Sequence, residues 1–368
     1  MDTIGSRLLR RRWRGPARCG PRDPFCAHRA GATRGSLGLG APLAERQERT
    51  DTWGAAPSRA EEAVVQKIVT NIWCNRDAEE AGAFYASVFP GAASTVESRY
   101  PETGLLDFQR EFAGAPLTVA VDIPGGDGST RLTLINAGDE FRPNPSISLM
   151  VNFDPLMFGG DEAVARDRLD RVWRELSEGG RVLMPLGEYP FSARYGWVED
   201  RFGVSWQVML TDPDGDPRPF LVPALMFSGA VQNRASEAID RYVAVFDDAA
   251  AGGRFPYGEQ TGPASPEALM YGEFRIGEQW FAVMDSAVEQ DAPFTCGVSL
   301  EVRCADQAEI DRLWEALSAV PEAEQCGWLA DRFGVSWQIV PANMGELMEH
   351  PGAFERMMPM KKIIIAEL

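Results

Sequence analysis

A duplicated segment constrains the fold of this 368-residue chain more than any other feature. Residues 196–209 return 131 positions later as residues 327–340, and ten of the fourteen positions are identical. Both copies contain the run Asp-Arg-Phe-Gly-Val-Ser-Trp-Gln. Similarity at one fixed interval indicates a structural unit that is repeated along the chain. Two copies of one domain are therefore the starting expectation.

Two further blocks repeat upstream, and both have helical character. Residues 78–89 and 235–246 match at six of twelve positions. A second pair of segments places apolar residues at the spacing 0, 3, 4, 7, which puts them on one face of a helix. These residues are Leu169, Val172, Trp173 and Leu176 in the first copy and Ile310, Leu313, Trp314 and Leu317 in the second. Each copy is predicted to pack amphipathic helices on a sheet.

Short β-branched or aromatic runs predict strands between the helices. They span residues 68–74, 117–123, 131–136, 147–152 and 204–210. Few helices and mostly antiparallel strands are typical of an α+β fold rather than a doubly wound parallel sheet. The turn-rich residues 212–217 predict a domain boundary. We predict a disordered Arg-rich extension (1–63), a first domain (64–212), a second domain (218–345) and a tail of one helix and one strand (346–368).

Charge is distributed unevenly along the chain. Residues 1–60 carry a formal charge of +7, which leaves −25 for residues 61–368. A segment as acidic as residues 61–368 would repel the phosphate backbone of a nucleic acid, so we expect no nucleic-acid partner for this part of the chain. No apolar run approaches the roughly 20 residues that span a bilayer, and no signal peptide is visible, so no membrane partner is expected. The six Cys include no Cys-x-x-Cys pair, and we expect a cytoplasmic protein.

Several blocks of the sequence resemble those of a known family. The chain is similar to the PhnB-like domains, also described as 3-demethylubiquinone-9 3-methyltransferase-like, of the vicinal oxygen chelate superfamily of glyoxalases, bleomycin-resistance proteins and dioxygenases. The resemblance covers residues 67–366. The blocks that carry it are Asn71-Ile72-Trp73, Ala78-Glu79-Glu80-Ala81, Phe84-Tyr85, residues 134–138, 180–187 and 195–197, and the paired Asp-Arg-Phe-Gly-Val-Ser-Trp-Gln segments.

The resemblance implies that each domain pairs two βαβββ modules around a pocket, where active relatives hold a divalent metal with four side chains. The positions that would correspond are Thr70 and Pro223, Ser146 and Gly297, Asn136 and Asp285, and Gln207 and Gln338. Neutral side chains bind a dication feebly. The two His of the chain, His28 and His350, lie outside both predicted domains. We therefore predict no metal ligands and no cofactor, although a divalent metal stays open.

The same positions suggest a site for a small organic ligand. The candidate ligand-binding residues are Thr70, Trp73, Asn136, Ser146, Trp197 and Gln207, which combine hydrogen-bonding groups with aromatic rings. The other interpretation is that the Gln and Trp residues belong to the core. An extra segment, Met184–Phe191, is interpreted as a lid or as a rigid cover for a sheet edge. No catalytic residue is predicted.

Three functional hypotheses follow. The first is a monomeric or homodimeric tandem protein that sequesters or senses a small organic molecule. The second is a metal-dependent isomerase, lyase or oxygenase of the glyoxalase and dioxygenase superfamily, and the third is a degenerate pseudo-dimeric scaffold. The methyltransferase label is not supported by residues 125–128, because a strand-like run follows these glycines and predicts a hairpin rather than a nucleotide-binding turn.

Overall fold

Four similar modules follow one another in the computed structural model, which describes residues 66–126 and 128–368. The first comprises β1 (Ile68–Asn75), α1 (Ala78–Val88), β2 (Ala93–Arg99), β3 (Pro116–Gly125) and β4 (Gly128–Ala137). The second comprises β5 (Ile147–Phe153), α2 (Glu162–Ser177), β6 (Arg181–Tyr189), β7 (Ser192–Glu199) and β8 (Ser205–Leu210). The third comprises β9 (Leu221–Phe227), α3 (Ala235–Val245), β10 (Ala249–Pro256), β11 (Leu269–Ile276) and β12 (Gln279–Asp285). The fourth comprises β13 (Val298–Cys304), α4 (Gln307–Leu317), β14 (Trp328–Ala330) and β15 (Ser336–Pro341). Two short helices, α5 (Met344–Met348) and α6 (Ala353–Met357), follow it.

The modules combine into two mixed sheets, and each sheet joins one module from each domain. The seven-stranded sheet has the order β14-β15-β13-β1-β4-β3-β2. The eight-stranded sheet has the order β10-β11-β12-β9-β5-β8-β7-β6. Its two halves meet where β5 pairs antiparallel with β9, and β1 pairs with β13 in the same way in the other sheet. The predicted α+β class with two tandem domains is confirmed, and backbone hydrogen bonds interlock the domains.

Each domain has its own hydrophobic core between the two sheets. In the first domain, Val121 of the seven-stranded sheet and Val208 of the eight-stranded sheet belong to one buried cluster with Tyr85 of α1 and Leu169 of α2. The second domain has an equivalent cluster that includes α3 and α4. Because successive strand residues point to opposite faces, every second residue of these strands lies on a face turned away from the helices. Both sheets thus have a helix-free face.

A buried aspartate explains why the long repeat is so well matched. In the first domain, Oδ1 of Asp200 accepts hydrogen bonds from the backbone N–H groups of Phe202 and Val204. Its Oδ2 accepts from the Tyr85 hydroxyl at 2.8 Å and from Trp206 Nε1 at 2.8 Å. These bonds satisfy a side chain that is 4 % exposed.

Asp331 makes the same four contacts in the second domain. Its partners are the backbone N–H groups of Phe333 and Val335, the Tyr242 hydroxyl and Trp337 Nε1. Burial raises the pKa of both aspartates, and these hydrogen bonds lower the pKa again in part. The repeated Asp, Phe, Val and Trp therefore serve the fold and are not evidence for catalysis.

Most predicted elements are present, with two differences in detail. The predicted hairpin is confirmed, since β3 and β4 pair antiparallel through Gly125 and Gly128. The segment Met184–Phe191 is not a separate loop, because it forms the end of edge strand β6 and the turn into β7. The predicted strand of the tail is wrong. Residues 358–364 contain no strand, and the carbonyls of Met360 and Lys361 accept two isolated bonds from Cys326 and Gly327 N–H.

The predicted extension, residues 1–63, lies outside the described residues. Among residues 66–126 and 128–368, no helix is both long enough and apolar enough to cross a bilayer.

Cutting the domain linker should leave the two domains together. A protease site inserted between Asp214 and Gly215 would break the chain in the exposed turn that joins β8 to β9. We expect the two fragments to co-elute in native size-exclusion chromatography and to separate only in denaturant, because two strand pairs link them. Uncut protein is the control. Separation under native conditions would contradict the interlocked sheets.

The substitution Tyr85→Phe should destabilise the protein in a pH-dependent way. It removes a hydrogen bond that lowers the pKa of Asp200, so the folded-state pKa rises further above the unfolded-state value. A group with a raised folded-state pKa contributes stability below its unfolded-state pKa, and that stability is lost as the pH rises through the folded-state value. We expect a cost of about 1.5–3 kcal/mol in the free energy of unfolding at neutral pH and a smaller cost near pH 4.

Urea unfolding at both pH values measures this difference. Tyr189→Phe is the matched control, because the Tyr189 hydroxyl donates to the uncharged carbonyl of Pro185 and its loss should not depend on pH. Equal costs of Tyr85→Phe at the two pH values would show that Asp200 is not the acceptor that matters.

Candidate functional site

The helix-free face of the eight-stranded sheet carries a contiguous apolar surface, which we call the apolar face. Its floor consists of the buried residues Met150, Val222, Ala224 and Ala282. Strand register explains why they meet, since Met150 pairs with Val222, and Ala224 pairs with Ala282. The partly buried residues that pack around the floor are Met209, Tyr271, Trp280 and Met284. Both domains contribute to this face.

A chain of three polar side chains borders the apolar face on β5, β7 and β8. Gln207 Nε2 donates to Ser148 Oγ at 2.6 Å, and the Tyr195 hydroxyl donates to Gln207 Oε1 at 2.7 Å. Gln207 is 2 % exposed, so these two bonds satisfy both ends of a buried amide. Burial raises the pKa of Tyr195, which keeps its phenol protonated. The ring centre of Tyr195 lies 5.4 Å from that of Tyr189 and 5.0 Å from that of Phe191. Both of these rings are at the tip of the β6–β7 hairpin.

An ion pair borders the opposite end of the apolar face. Arg218 makes two parallel hydrogen bonds to Glu273, at 3.0 and 2.7 Å, and Glu273 also accepts from the Tyr271 hydroxyl at 2.8 Å. The Arg218 guanidinium lies 4.3 Å from the centre of the Trp280 ring. The arrangement is an apolar floor with a neutral polar group at one end and a paired charge at the other. Such a surface favours organic molecules that are mainly apolar.

The six predicted ligand-binding residues are divided between the two sheets. Thr70, Trp73 and Asn136 lie on β1 and β4 of the seven-stranded sheet, whereas Trp197 and Gln207 lie on β7 and β8 of the eight-stranded sheet. Ser146 immediately precedes β5. Trp197 and Gln207 are register partners, so the structure brings these two residues together. It does not assemble all six predicted residues on one face.

Several of these residues already have partners within the protein. Asn136 Nδ2 donates to the Pro116 carbonyl, and its Oδ1 accepts from the N–H of Ala78 at the start of α1. Asp285 is the counterpart in the second domain, since it accepts from the N–H of Ala235 at the start of α3. Trp197 Nε1 donates to Ser205 Oγ at 2.7 Å. The roles of Asn136 and Asp285 in holding helix ends are thus evident from their contacts.

The donor set does not fit a divalent metal of the kind bound by active relatives. On the apolar face the central positions are Ser148, Gln207 and Ala224, and the amide of Gln207 makes one hydrogen bond at each end, to Ser148 and from Tyr195. A dication requires anionic oxygens or imidazoles to offset its dehydration. In the described part of the chain, no group of three or more His, Cys, Asp or Glu side chains is placed to hold a metal ion.

The sequence interpretation missed the methionines and the contribution of the second domain. Met150 and Met209 come from the first domain, and Met284 and its register partner Met226 come from the second. Side chains of a strand alternate between the two faces of a sheet, so the sequences of residues 147–153 and 221–227 could have indicated which residues share a face. No local pattern indicated that β5 would pair with β9.

Comparisons with known proteins agree with the repeat. The family model described as 3-demethylubiquinone-9 3-methyltransferase matches the chain twice, over residues 66–209 and 219–340. A search of curated proteins found no match.

Several solved structures are similar to parts of this chain. The PhnB protein from Bacillus cereus is 31% identical and covers 40% of this chain and 100% of its own length, with a TM-score of 0.32. Protein PA1353 from Pseudomonas aeruginosa is 22% identical over 38% of this chain and 94% of its own, with a TM-score of 0.29. Glyoxalase I from Zea mays is 10% identical over 77% of this chain and 95% of its own, with a TM-score of 0.41. With two matches that together cover most of its length, the chain belongs to the PhnB-like family described as 3-demethylubiquinone-9 3-methyltransferase and carries its domain in tandem.

Proposed function

We propose that the protein binds a small, mainly apolar organic molecule on the apolar face and acts as a carrier or sensor of that molecule. The observation that carries the proposal is the cluster of Met150, Met209 and Met284 with Trp280 on a face turned away from the helices. Methionine adapts its shape to apolar ligands and packs well against aromatic rings. Few polar groups border the cluster, which is the usual composition of a small-molecule site.

The polar border supports orientation of a ligand rather than chemistry on it. Gln207, Ser148 and Tyr195 are bonded to one another, and Arg218 is paired with Glu273. None of these groups forms a nucleophile and base pair of the kind that covalent catalysis requires. The proposal therefore assigns them to selecting the polar end of a bound molecule.

Two other functions have less support from the residues of this face. A metal-dependent isomerase, lyase or oxygenase would need charged ligands where Ser148, Gln207 and Ala224 lie, so the donor chemistry disfavours it. A degenerate scaffold would use the apolar face only for packing. Gln207→Ala separates the scaffold from the carrier, because a scaffold has no ligand affinity to lose.

The proposed setting is a monomer in a reducing compartment such as the cytoplasm. Each chain supplies both halves of both sheets, so the apolar face is complete without a second copy. The cysteines of the described residues, Cys74, Cys296, Cys304 and Cys326, are unpaired thiols. Free thiols are typical of proteins that stay in a reducing environment.

Substitutions in either domain should weaken binding to the same site. The neutral fluorescent probe N-phenyl-1-naphthylamine should bind in a saturable way, and Met209→Ala and Met284→Ala should each weaken its binding about tenfold, because each removes apolar contact area. Met348→Ala is the matched control, since Met348 lies on α5 outside the apolar face. Absence of saturable binding, or equal affinity in all variants, would refute the proposal.

Chelation should leave the protein unchanged. After dialysis against EDTA we expect the same thermal unfolding midpoint and the same probe affinity as before, because the apolar face offers no ligand set for a dication. Elemental analysis of the purified protein checks the starting state. A stoichiometric divalent ion whose removal lowers the midpoint would favour the metal-dependent enzyme instead.

A further inference from the structure

The second domain joins the ends of its two helices with its own arginines. Arg241, in the last turns of α3, donates a hydrogen bond to the carbonyl of Ala316 in the last turn of α4. Arg312 of α4 donates in return to the carbonyl of Val245, the last residue of α3, at 2.8 Å. The last carbonyls of a helix lack intrahelical partners and form the negative end of the helix dipole, so they favour a cation. The fold thus places a guanidinium group between these helix ends.

The first domain has an open cleft between the ends of its two helices, which we call the helix-end cleft. Its volume is about 430 Å³. Residues from the end of α1, from the end of α2 and from the turn between β7 and β8 line it. They are Phe84, Ser87, Glu175, Glu178 and Arg201. The cleft is separate from the apolar face, which lies on the side of the sheet that has no helices.

The repeat shows that the helix-end cleft and the arginine contact are equivalent places. The two helical repeats align Phe84 with Arg241 and Glu175 with Ala316. The donor and the acceptor of the second-domain contact therefore correspond to two residues that line the cleft. Because the first domain has phenylalanine at the donor position, no arginine of its own α1 fills this place.

Three polar residues that line the cleft align with alanines of the second domain. The polar residues are Ser87, Glu175 and Glu178, and the alanines are Ala244, Ala316 and Ala319. Two carboxylates thus appear in the copy whose helix lacks the arginine. A carboxylate at the end of a helix is unfavourable unless a cation is near, because the helix end is itself negative. Arg171 pairs with one oxygen of Glu175 at 3.0 Å, and Glu178 is exposed at the cleft.

Arg201 is compatible with a second cation in the cleft. Its guanidinium lies 4.4 Å from the centre of the Phe84 ring and 3.6 Å from the carboxylate of Glu80. The second domain has Arg332 at the equivalent position, and Arg241 nevertheless lies between the helix ends there. The contact with Phe84 also shows that this ring accepts a guanidinium against it.

We propose that the helix-end cleft is a binding site for a small organic molecule that carries a guanidinium group. The planar N–H groups of the ligand would donate to the carboxylates of Glu175 and Glu178, and its apolar stem would pack against Phe84. The observation that carries the proposal is the guanidinium of Arg241 at the equivalent place of the second domain. This inference goes beyond the proposed function, because it concerns another surface and a charged ligand.

Butylguanidinium tests the proposal, and butylurea is its control, since the two compounds have the same shape and only the first is charged. Titration of the full-length protein with butylguanidinium should shift the backbone amide signals of Glu178 and Gly179 in nitrogen-15 NMR spectra in a saturable way. Butylurea at the same concentrations should leave these signals in place. Equal shifts with both compounds, or no saturable shift with butylguanidinium, would overturn the proposal.

Two variants give an independent readout of the same site. Glu178→Gln should weaken butylguanidinium binding about fivefold, because it removes one exposed opposite charge. Phe84→Arg gives α1 the arginine of the second domain and should abolish the saturable shift, because the cleft is then filled from within. Glu162→Gln, at the start of α2, makes the same change in charge and is the control.

Unchanged affinity in Glu178→Gln, or an equal loss in Glu162→Gln, would show that the cleft carboxylates do not hold the probe. Retained binding in a folded Phe84→Arg protein would likewise contradict the site. The result does not depend on the naphthylamine probe, which reports on the apolar face.

Discussion

Backbone pairing between the domains determines which side chains of this protein share a face. The ladder from β5 to β9 extends the first domain's second module into the second domain, and the ladder from β1 to β13 closes the other sheet. Each helix-free face is consequently shared by two domains that fold around separate cores. A site built on either face therefore combines side chains that are about 70 or more residues apart in sequence, as Met150 and Ala224 illustrate.

The duplicated sequence forms the same buried network in both domains. Asp200 and Asp331 each tie a tight turn to a helix and to a core tryptophan through four hydrogen bonds. Residues in these networks are identical in the two copies, and so are Gln207 and Gln338 on the helix-free faces, whereas other positions on those faces differ. Asn71 and Glu301 of the seven-stranded sheet occupy the positions that Ala224 and Met150 occupy in the eight-stranded sheet. The helix-free faces of the two sheets therefore differ in polarity although the fold is the same.

Local signals in the sequence predicted the helices and most of the first-domain strands, because apolar periodicity and turn residues act over a few positions. The tandem organisation followed from the repeat. The site was harder to predict. The sequence prediction placed the first-strand site position on Thr70 instead of Asn71, and a shift of one residue moves a strand side chain to the opposite face of the sheet. Thr70 lies on the core side with Ile68 and Ile72, while Asn71 lies on the helix-free side. The pairing of β5 with β9 has no local signature, so the contribution of Met226 and Met284 could not be predicted.

We propose that one apolar surface, formed jointly by both domains, receives an organic ligand. Methyl NMR of protein labelled with carbon-13 at the methionine methyl groups tests it most directly, because Met150 and Met209 report from the first domain and Met226 and Met284 from the second. On addition of an apolar aromatic compound, we expect all four signals to shift along one saturable curve with a single dissociation constant. Shifts confined to one domain, or spread equally over methionines outside the apolar face, would contradict it.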